Sequence, residues 1–130
     1  MPMHITALYA ALIAIWAVIL SNHVSLSRGK LKISFGDGGS PKMMLIMRRH
    51  ANLMENAPLA LLVMALAEAS GLPVLWAHLL GVVLLVARLV HPFGLTIANP
   101  TNPLRIVGAV GTHAVTVAAS LYILWTAISA

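Results

Sequence analysis

Long apolar stretches with very few charged residues constrain this chain more than any other feature of its sequence. Only 8% of the 130 residues are charged, and 60% belong to the hydrophobic class, whereas about a quarter of an average soluble domain is charged. A helix needs about 20 mostly apolar residues to cross the hydrocarbon core of a bilayer. The sequence therefore predicts one all-α domain over residues 1–130, an integral membrane four-helix bundle with helices at about 4–22, 43–70, 73–91 and 104–128.

The charge balance is basic, but it does not indicate a nucleic-acid partner. Eight Lys and Arg against three Asp and Glu give a formal net charge of +5. Nucleic-acid-binding domains carry dense basic faces with interleaved aromatic residues, and this chain is dominated by Ala, Leu, Val and Ile. The chain has no cysteine, and its six histidines show no dense ligand spacing, so we expect no thiol of its own and no metal site.

The basic residues predict how the helices are oriented in the membrane. All eight lie in or beside the first and third connections: Arg28, Lys30, Lys32, Lys42, Arg48, Arg49, Arg88 and Arg105. Because short loops rich in Lys and Arg stay in the cytoplasm, we expect connections 23–42 and 92–103 to be cytoplasmic and both termini to lie outside. No cleavage pattern follows the first apolar helix, which is therefore expected to be retained in a multi-pass protein, in the inner membrane if the source is bacterial.

The first half of the second predicted helix carries an unusual polar stripe. Arg48, Asn52 and Glu55 are spaced i, i+4 and i+7, so they share one face. Counting back from Ser70 places Glu55 roughly 9 Å inside the hydrocarbon, where an ionisable group needs a partner. Arg88 lies at a similar depth on the antiparallel third helix. We therefore predict a Glu55–Arg88 ion pair inside the bundle, with Asn52 completing the hydrogen bonds.

Two interpretations of this polar cluster remain open. A structural ion pair that fixes helix register would account for Glu55 and Arg88 without any ligand. It would not account for the excess of basic groups at the same end of the bundle, which are Arg48, Arg88, Arg105, His50 and His91. That excess favours an anionic small ligand. Arg49 and Lys42 are interpreted as anchors at the lipid headgroups.

Two motifs connect this cluster with a known family. The second helix carries Arg48-x-His50-Ala51-Asn52-x-x-Glu55-x-x-Pro58, and the third ends with Arg88-Leu89-x-His91-x-x-Gly94. With Gly36-Asp37-Gly38-Gly39 before the second helix and an arginine opening the fourth, the sequence resembles the MAPEG family, the membrane-associated proteins in eicosanoid and glutathione metabolism, and its small bacterial members most. The resemblance covers nearly the whole chain. It implies a four-helix protomer of a homotrimer that binds glutathione between protomers at the cytoplasmic end.

The resemblance also implies roles for single residues. Arg48, Asn52 and Glu55 would hold the peptide backbone and the ammonium group of glutathione. The remaining predicted ligand-binding residues are His50, Arg88, His91 and Phe93. Arg105 would be the catalytic residue, an arginine near the thiol that stabilises the thiolate.

Two features depart from the pattern of similar proteins. A basic residue near the end of the first helix is missing, because Asn22-His23 stand there and the first arginine is Arg28. Phe93 occupies the position of a common tyrosine and lacks its hydroxyl group.

Two classes of function follow from these observations. The first is a glutathione-dependent transferase or peroxidase that acts on a lipophilic electrophile entering from the bilayer. The alternative is a non-catalytic trimeric membrane scaffold or a small-anion-binding protein. A transporter is disfavoured, because the outer halves of the second and third helices carry little polarity beyond Glu68 and His78.

Overall fold

The computed structural model describes residues 2–130 and consists of four long helices. They are α1 (His4–Leu31), α2 (Pro41–Ala69), α3 (Val74–Gly94) and α4 (Pro103–Ser129). No strand is present in that part of the chain, which confirms the all-α prediction.

Two helices begin at the capping signals that the sequence contains. At the start of α2 the Ser40 hydroxyl accepts a hydrogen bond from the N–H of Met43 at 3.2 Å. At the start of α4 the Asn102 side chain accepts one from the N–H of Leu104 at 2.9 Å. A proline follows each cap, where its fixed φ suits the first helical turn. The starts of α2 and α4 are therefore determined by residues next to them in the sequence.

Helix α1 is longer than predicted. The apolar pattern ends near residue 22, but the helix continues to Leu31, because the polar run Ser21-Asn22-His23 contains no helix breaker. The end is a Schellman motif, in which Lys32 adopts a left-handed conformation with φ 55° and the N–H of Ile33 donates to the carbonyl of Arg28 at 3.0 Å. Arg28 therefore lies in the last turns of a helix and not in a polar connection.

The inner pair of helices, α2 and α3, forms the centre of the bundle. Each contacts the other three helices, whereas α1 and α4 do not contact each other within residues 2–130. All four contribute to one core, with Ile13 from α1, Met64 from α2, Leu84 from α3 and Val115 from α4. Side chains on α2 and α3 are therefore the ones that can connect the whole molecule.

Three of the four helices, α1, α3 and α4, are long and apolar enough to cross a membrane. The sequence predicts four such spans. Helix α2 has 29 residues, but its charged and amide side chains reduce its apolar character, so its crossing stays a prediction. Large apolar side chains such as Ile15, Leu75 and Val110 are exposed on the outside of the bundle, as in a protein surrounded by lipid.

Candidate functional site

Arg88 connects all four helices at the basic end of the bundle. Its side chain is only 2% exposed. From α3 its guanidinium donates to Oδ1 of Asn52 on α2 at 2.9 Å and to the carbonyl of Gly108 on α4 at 2.6 Å. Its own carbonyl accepts a bond from the indole N–H of Trp16 on α1 at 3.1 Å. Arg88 is therefore the centre of this end of the molecule.

The predicted Glu55–Arg88 ion pair is wrong. Both oxygens of Glu55 instead accept hydrogen bonds from the guanidinium of Arg48, each at 3.0 Å. The two side chains are 47% and 53% exposed. Seven residues along a helix span about 10.5 Å, a distance that a long arginine side chain and a glutamate cover together. Glu55 thus has a basic partner, but on its own helix, and Arg88 uses the amide of Asn52 in place of a carboxylate.

A groove between α1 and α2 opens beside this ion pair. It has a volume of about 500 Å³, and its walls include Arg28, Arg48, His50 and Met47. Arg28 is held in place, because it donates to the carbonyl of Gly36 at 2.6 Å and to the sulfur of Met47 at 3.5 Å. The volume lies within the range of small-molecule sites, about 300–1,000 Å³. Two arginines and a histidine therefore line one cavity of suitable size.

The contribution of Arg28 is the main feature that sequence reasoning missed. A first helix that ends near residue 22, as predicted, has no basic residue at that end. Because α1 continues to Leu31, Arg28 projects from it into the groove. The absence of Gly or Pro between His23 and Arg28 is the signal that could have placed this residue on the helix.

His91 and Arg105 lie where the end of α3 meets the start of α4. His91 is buried, whereas Arg105 is exposed and donates to the carbonyl of Pro100 at 3.0 Å. Gly94 packs directly against the backbone of Arg105, and a side chain at Gly94 would clash with it. Within residues 2–130, no hydrogen bond joins Arg105 to the groove between α1 and α2.

Phe93 lies on the side of α3 opposite His91 and contacts α1. Its ring is 63% exposed and stacks on Trp16, with ring centroids 6.2 Å apart. Phe93 thus connects α3 to α1 through aromatic contact, and it is positioned next to the residue that bonds the Arg88 carbonyl.

Arg49 does more than the headgroup anchoring predicted for it. Its guanidinium donates to the carbonyl of Leu95 at 2.9 Å, the C-cap residue that follows α3. Arg49 therefore joins the start of α2 to the end of α3. Lys42, interpreted in the same way, is exposed.

A second polar cluster lies at the opposite end of the bundle. Glu68 is buried at the end of α2 and accepts three hydrogen bonds, from the N–H of Ile5 at 3.0 Å and from the N–H and hydroxyl of Thr6 at 2.8 and 2.7 Å. It thereby caps the first turn of α1, where helical N–H groups have no partner within the helix. The hydroxyl of Tyr9 and Nδ1 of His78 lie 3.1 Å apart beside it. This cluster connects α1 to α2 and α3.

Comparison with known proteins identifies the family. The family model described as the MAPEG family matches residues 6–125. This chain belongs to the MAPEG family. The match includes residues from all four helices, so the resemblance carried by the two motifs is confirmed.

A curated relative supports the membrane location. The inner membrane protein YecN of Escherichia coli is 34% identical over 90 residues, which are 69% of this chain and 69% of YecN. YecN from a second Escherichia coli strain matches to the same extent, and no solved structure matches the chain significantly. Together with the three apolar helices, the comparisons identify a membrane protein of the MAPEG family.

Proposed function

We propose that this MAPEG family protein binds glutathione in the groove between α1 and α2 and uses it in a transferase or peroxidase reaction on lipophilic electrophiles. The observation that carries the proposal is the cavity of about 500 Å³ that brings Arg28, Arg48 and His50 together. Guanidinium groups bind carboxylates through paired, charge-assisted hydrogen bonds. The groove therefore suits a peptide-like anion.

The Arg48–Glu55 pair matches the charge pattern of one end of glutathione. The γ-glutamyl residue of glutathione carries a carboxylate and an ammonium group on the same carbon. Arg48 and Glu55 present the complementary charges 3.0 Å apart, and both are about half exposed. Exchange of their mutual bond for bonds to the ligand would leave no charge unpaired. Arg28, on the other wall of the groove, suits the glycine carboxylate at the other end.

The position of the pair also supports the homotrimer that we propose. A charged pair facing lipid at this depth is unfavourable, so polar groups in membrane helices generally face protein or a water-filled cavity. In this protomer the pair is on the outside of the bundle. A neighbouring protomer would cover it, and the exposed Arg105 of that neighbour would complete the site.

The chemistry needs a thiol, which this chain does not contain. Bound glutathione supplies a thiol whose deprotonated form attacks the electrophile. A nearby guanidinium stabilises a thiolate. Within residues 2–130 the guanidinium of Arg105 makes one hydrogen bond, to the carbonyl of Pro100, and its other N–H groups remain for this role.

An apolar groove gives a lipophilic substrate an approach from the bilayer. It lies between the same two helices, and its walls include Ala10, Ala14, Leu53, Met54 and Pro58. Leu53 and Met54 lie one helical turn from His50 and Ala51, which line the polar groove, so the two grooves follow each other along α2. A membrane-dissolved electrophile could thereby reach the polar site without crossing water.

One observation favours the alternative, a trimeric scaffold or small-anion-binding protein. The ionic and amide groups of the cluster already have partners within the chain: Arg48 with Glu55 and Arg88 with Asn52. Residues satisfied in this way can stabilise a bundle without a ligand. The lack of a hydroxyl on Phe93 also removes one donor that could contact the ligand.

Calorimetry with glutathione distinguishes the two functions. We expect the folded protein in detergent to bind glutathione, and Arg48→Ala to weaken binding by about tenfold or more, because charge-assisted hydrogen bonds are lost. Lys42→Ala is the matched control, since Lys42 is an exposed cation near the start of the same helix. Absence of binding to the folded wild type would refute the glutathione proposal and favour the scaffold.

The role of Arg105 is tested separately by ultraviolet spectroscopy. We expect Arg105→Ala to leave glutathione affinity within a few-fold of the wild type but to abolish the absorbance of bound thiolate. A wild-type complex without thiolate absorbance would retain the binding function and exclude the proposed catalytic role.

A further inference from the structure

The end of α1 and the turn after it form a second basic cavity. Its walls include Arg28, Lys32, Ile33 and Ser34, and its volume is about 380 Å³. Lys30 is exposed in the same last turn. The only acidic residue before α2 is Asp37, whose carboxylate accepts the N–H of Gly39 at 2.9 Å. The cavity is therefore surrounded by more positive than negative charge.

A large aromatic side chain projects from the same turn. Phe35 is 92% exposed, and the turn that carries it is held by two hydrogen bonds. Arg28 donates to the carbonyl of Gly36 at 2.6 Å, and the N–H of Ser40 donates to the carbonyl of Asp37 at 2.9 Å. Exposure of a phenyl ring to water is unfavourable, whereas aromatic rings are stabilised at the membrane–water interface.

Lys32 occupies a backbone position that usually belongs to glycine. It is the one residue other than glycine with positive φ in the described part of the chain. A side chain in the left-handed conformation is strained, and the equivalent position of a Schellman motif is glycine in most helices. Backbone strain of this kind clusters at functional sites, so we infer a function for the Lys32 side chain.

The length of α1 places these residues at the level of the lipid headgroups. A helix of 28 residues is about 42 Å long, and the hydrocarbon core is only about 30 Å thick. Since the start of α1 lies at the opposite end of the bundle, about eight residues at its other end project beyond the hydrocarbon. Lys30 and Lys32 therefore lie where lipid phosphates are found.

We propose that Lys30, Lys32 and Phe35 form a binding site for the headgroup of an anionic phospholipid. The lysine ammonium groups contact the phosphate, and Phe35 inserts between neighbouring lipids. Arg28 forms a wall of both this cavity and the groove between α1 and α2. The site does not depend on the proposed glutathione chemistry, and the test leaves Arg28 unchanged.

Native mass spectrometry of the full chain in detergent tests the proposal. Phosphatidylglycerol is titrated against phosphatidylcholine, which has the same acyl chains and no net charge. We expect tighter binding of phosphatidylglycerol that weakens as salt is added. Lys32→Gly should weaken it about fivefold, the contribution of one cation near an anionic lipid surface. Because glycine suits the backbone at this position, that variant keeps the helix end intact.

Matched variants distinguish binding in the cavity from a general effect of surface charge or of an exposed apolar side chain. Lys42→Gln removes another exposed lysine, one that does not line the cavity, and we expect it to weaken phosphatidylglycerol binding less than Lys32→Gly does. Phe35→Ser should weaken phosphatidylglycerol binding, whereas Ile97→Ser, at a residue 66% exposed in the other connection, should not.

Four results would overturn the proposal. The first is equal binding of the two lipids by the wild type, and the second is full phosphatidylglycerol affinity in Lys32→Gly. The third is a loss of oligomer mass in Phe35→Ser with lipid binding retained, which would assign the ring to a contact with a second copy. Displacement of the lipid by an equal concentration of glycerol phosphate would likewise reassign the cavity to a soluble phosphate.

Discussion

Arg88 is a buried cation whose hydrogen-bond acceptors, Oδ1 of Asn52 and the carbonyl of Gly108, are uncharged. Burial of a charge is unfavourable unless polar atoms compensate it. Hydrogen bonds to charged groups contribute about 1.5–3 kcal/mol each, and these two reach into α2 and α4. The residue therefore stabilises the relative position of three helices rather than one contact.

We expect Arg88→Ala to lower the free energy of unfolding by about 3 kcal/mol or more, because it creates a cavity and leaves the Asn52 oxygen without its donor. Glu55→Gln should lower the melting temperature less than Arg88→Ala does, since the Arg48–Glu55 pair is about half exposed within one protomer. Thermal unfolding in detergent, followed by circular dichroism, measures both. Equal melting temperatures for the two variants would contradict this assignment.

The sequence identifies these polar residues but not their partners. The spacing of Arg48, Asn52 and Glu55 places them on one face of α2, and the bond between Arg48 and Glu55 is consistent with that face. The choice between Arg48 and Arg88 as the partner of Glu55 depends on how α2 and α3 are rotated about their axes. In a membrane helix that is apolar on most faces, the hydrophobic pattern indicates how deep each residue lies in the bilayer. It indicates less about which face meets a neighbouring helix.

At the scale of single elements, the first turn of α1 depends on a side chain that is distant in sequence. Met3, which precedes the helix, provides no side-chain hydrogen bond. Glu68 supplies that cap from the end of α2, and its negative charge also interacts favourably with the positive end of the helix dipole.

Glu68→Gln should therefore loosen the start of α1. An amide has one oxygen acceptor and no charge, so we expect a loss of about 1 kcal/mol and faster hydrogen–deuterium exchange at the amides of Ile5 and Thr6. Ser70→Ala serves as the control at the same end of α2, because its hydroxyl only bonds the Leu66 carbonyl. Unchanged exchange in Glu68→Gln would show that the cap is dispensable.

The contact between α3 and α4 depends on a glycine. A Cβ atom at Gly108 would lie 2.5 Å from Cβ of His91 and 2.8 Å from the carbonyl oxygen of Ala87. Both distances are too short, and a backbone atom cannot move aside as a flexible side chain does. The two helices therefore approach closely at this point because Gly108 has no side chain.

Gly108→Ala should lower the free energy of unfolding by about 1–3 kcal/mol. Gly29→Ala is a suitable comparison, because no atom lies within 4 Å of the added Cβ and alanine favours a helix by about 0.5–1 kcal/mol. We expect the two variants to shift the melting temperature in opposite directions. A neutral Gly108→Ala variant would mean that α3 and α4 can separate without loss of stability.

Element boundaries show where sequence reasoning stops. The caps of α2 and α4 were predictable from Ser40-Pro41 and from Asn102-Pro103, because their hydrogen bonds are local. The end of α1 was not, because apolar residues mark the hydrocarbon layer and a helix can continue beyond it into the headgroups. The nine residues gained, 23–31, contain the basic side chain that completes the groove.

For the whole molecule, the basic residues concentrate at one end, and Trp76, Tyr122 and Trp125 lie at the other. Every Lys and Arg lies towards the end that holds the connections after α1 and after α3. At the other end Trp76 begins α3, and Tyr122 and Trp125 lie near the end of α4 with ring centroids 5.8 Å apart. Tryptophan and tyrosine concentrate at membrane–water interfaces, and basic loops stay in the cytoplasm.

This asymmetry predicts that both termini lie outside. A C-terminal alkaline phosphatase fusion should be active, and a C-terminal fluorescent protein should be dark. A fusion in the connection between α1 and α2, residues 32–40, should give the opposite result. An inactive phosphatase with a bright fluorescent C-terminus would contradict this orientation. If the fusion in residues 32–40 also lay in the cytoplasm, an even number of crossings would separate the two sites, and α2 would lack its expected crossing.

The hydrogen bond between the Trp16 indole and the Arg88 carbonyl gives the protein an optical probe of its own. The chain has three tryptophans, and the other two are exposed at the far end. Trp76→Phe with Trp125→Phe leaves Trp16 as the sole tryptophan, stacked on Phe93. We expect its emission to change when glutathione binds and to stay constant when phosphatidylglycerol occupies the turn at Phe35, so this fluorescence titration reports the glutathione site separately from the lipid site.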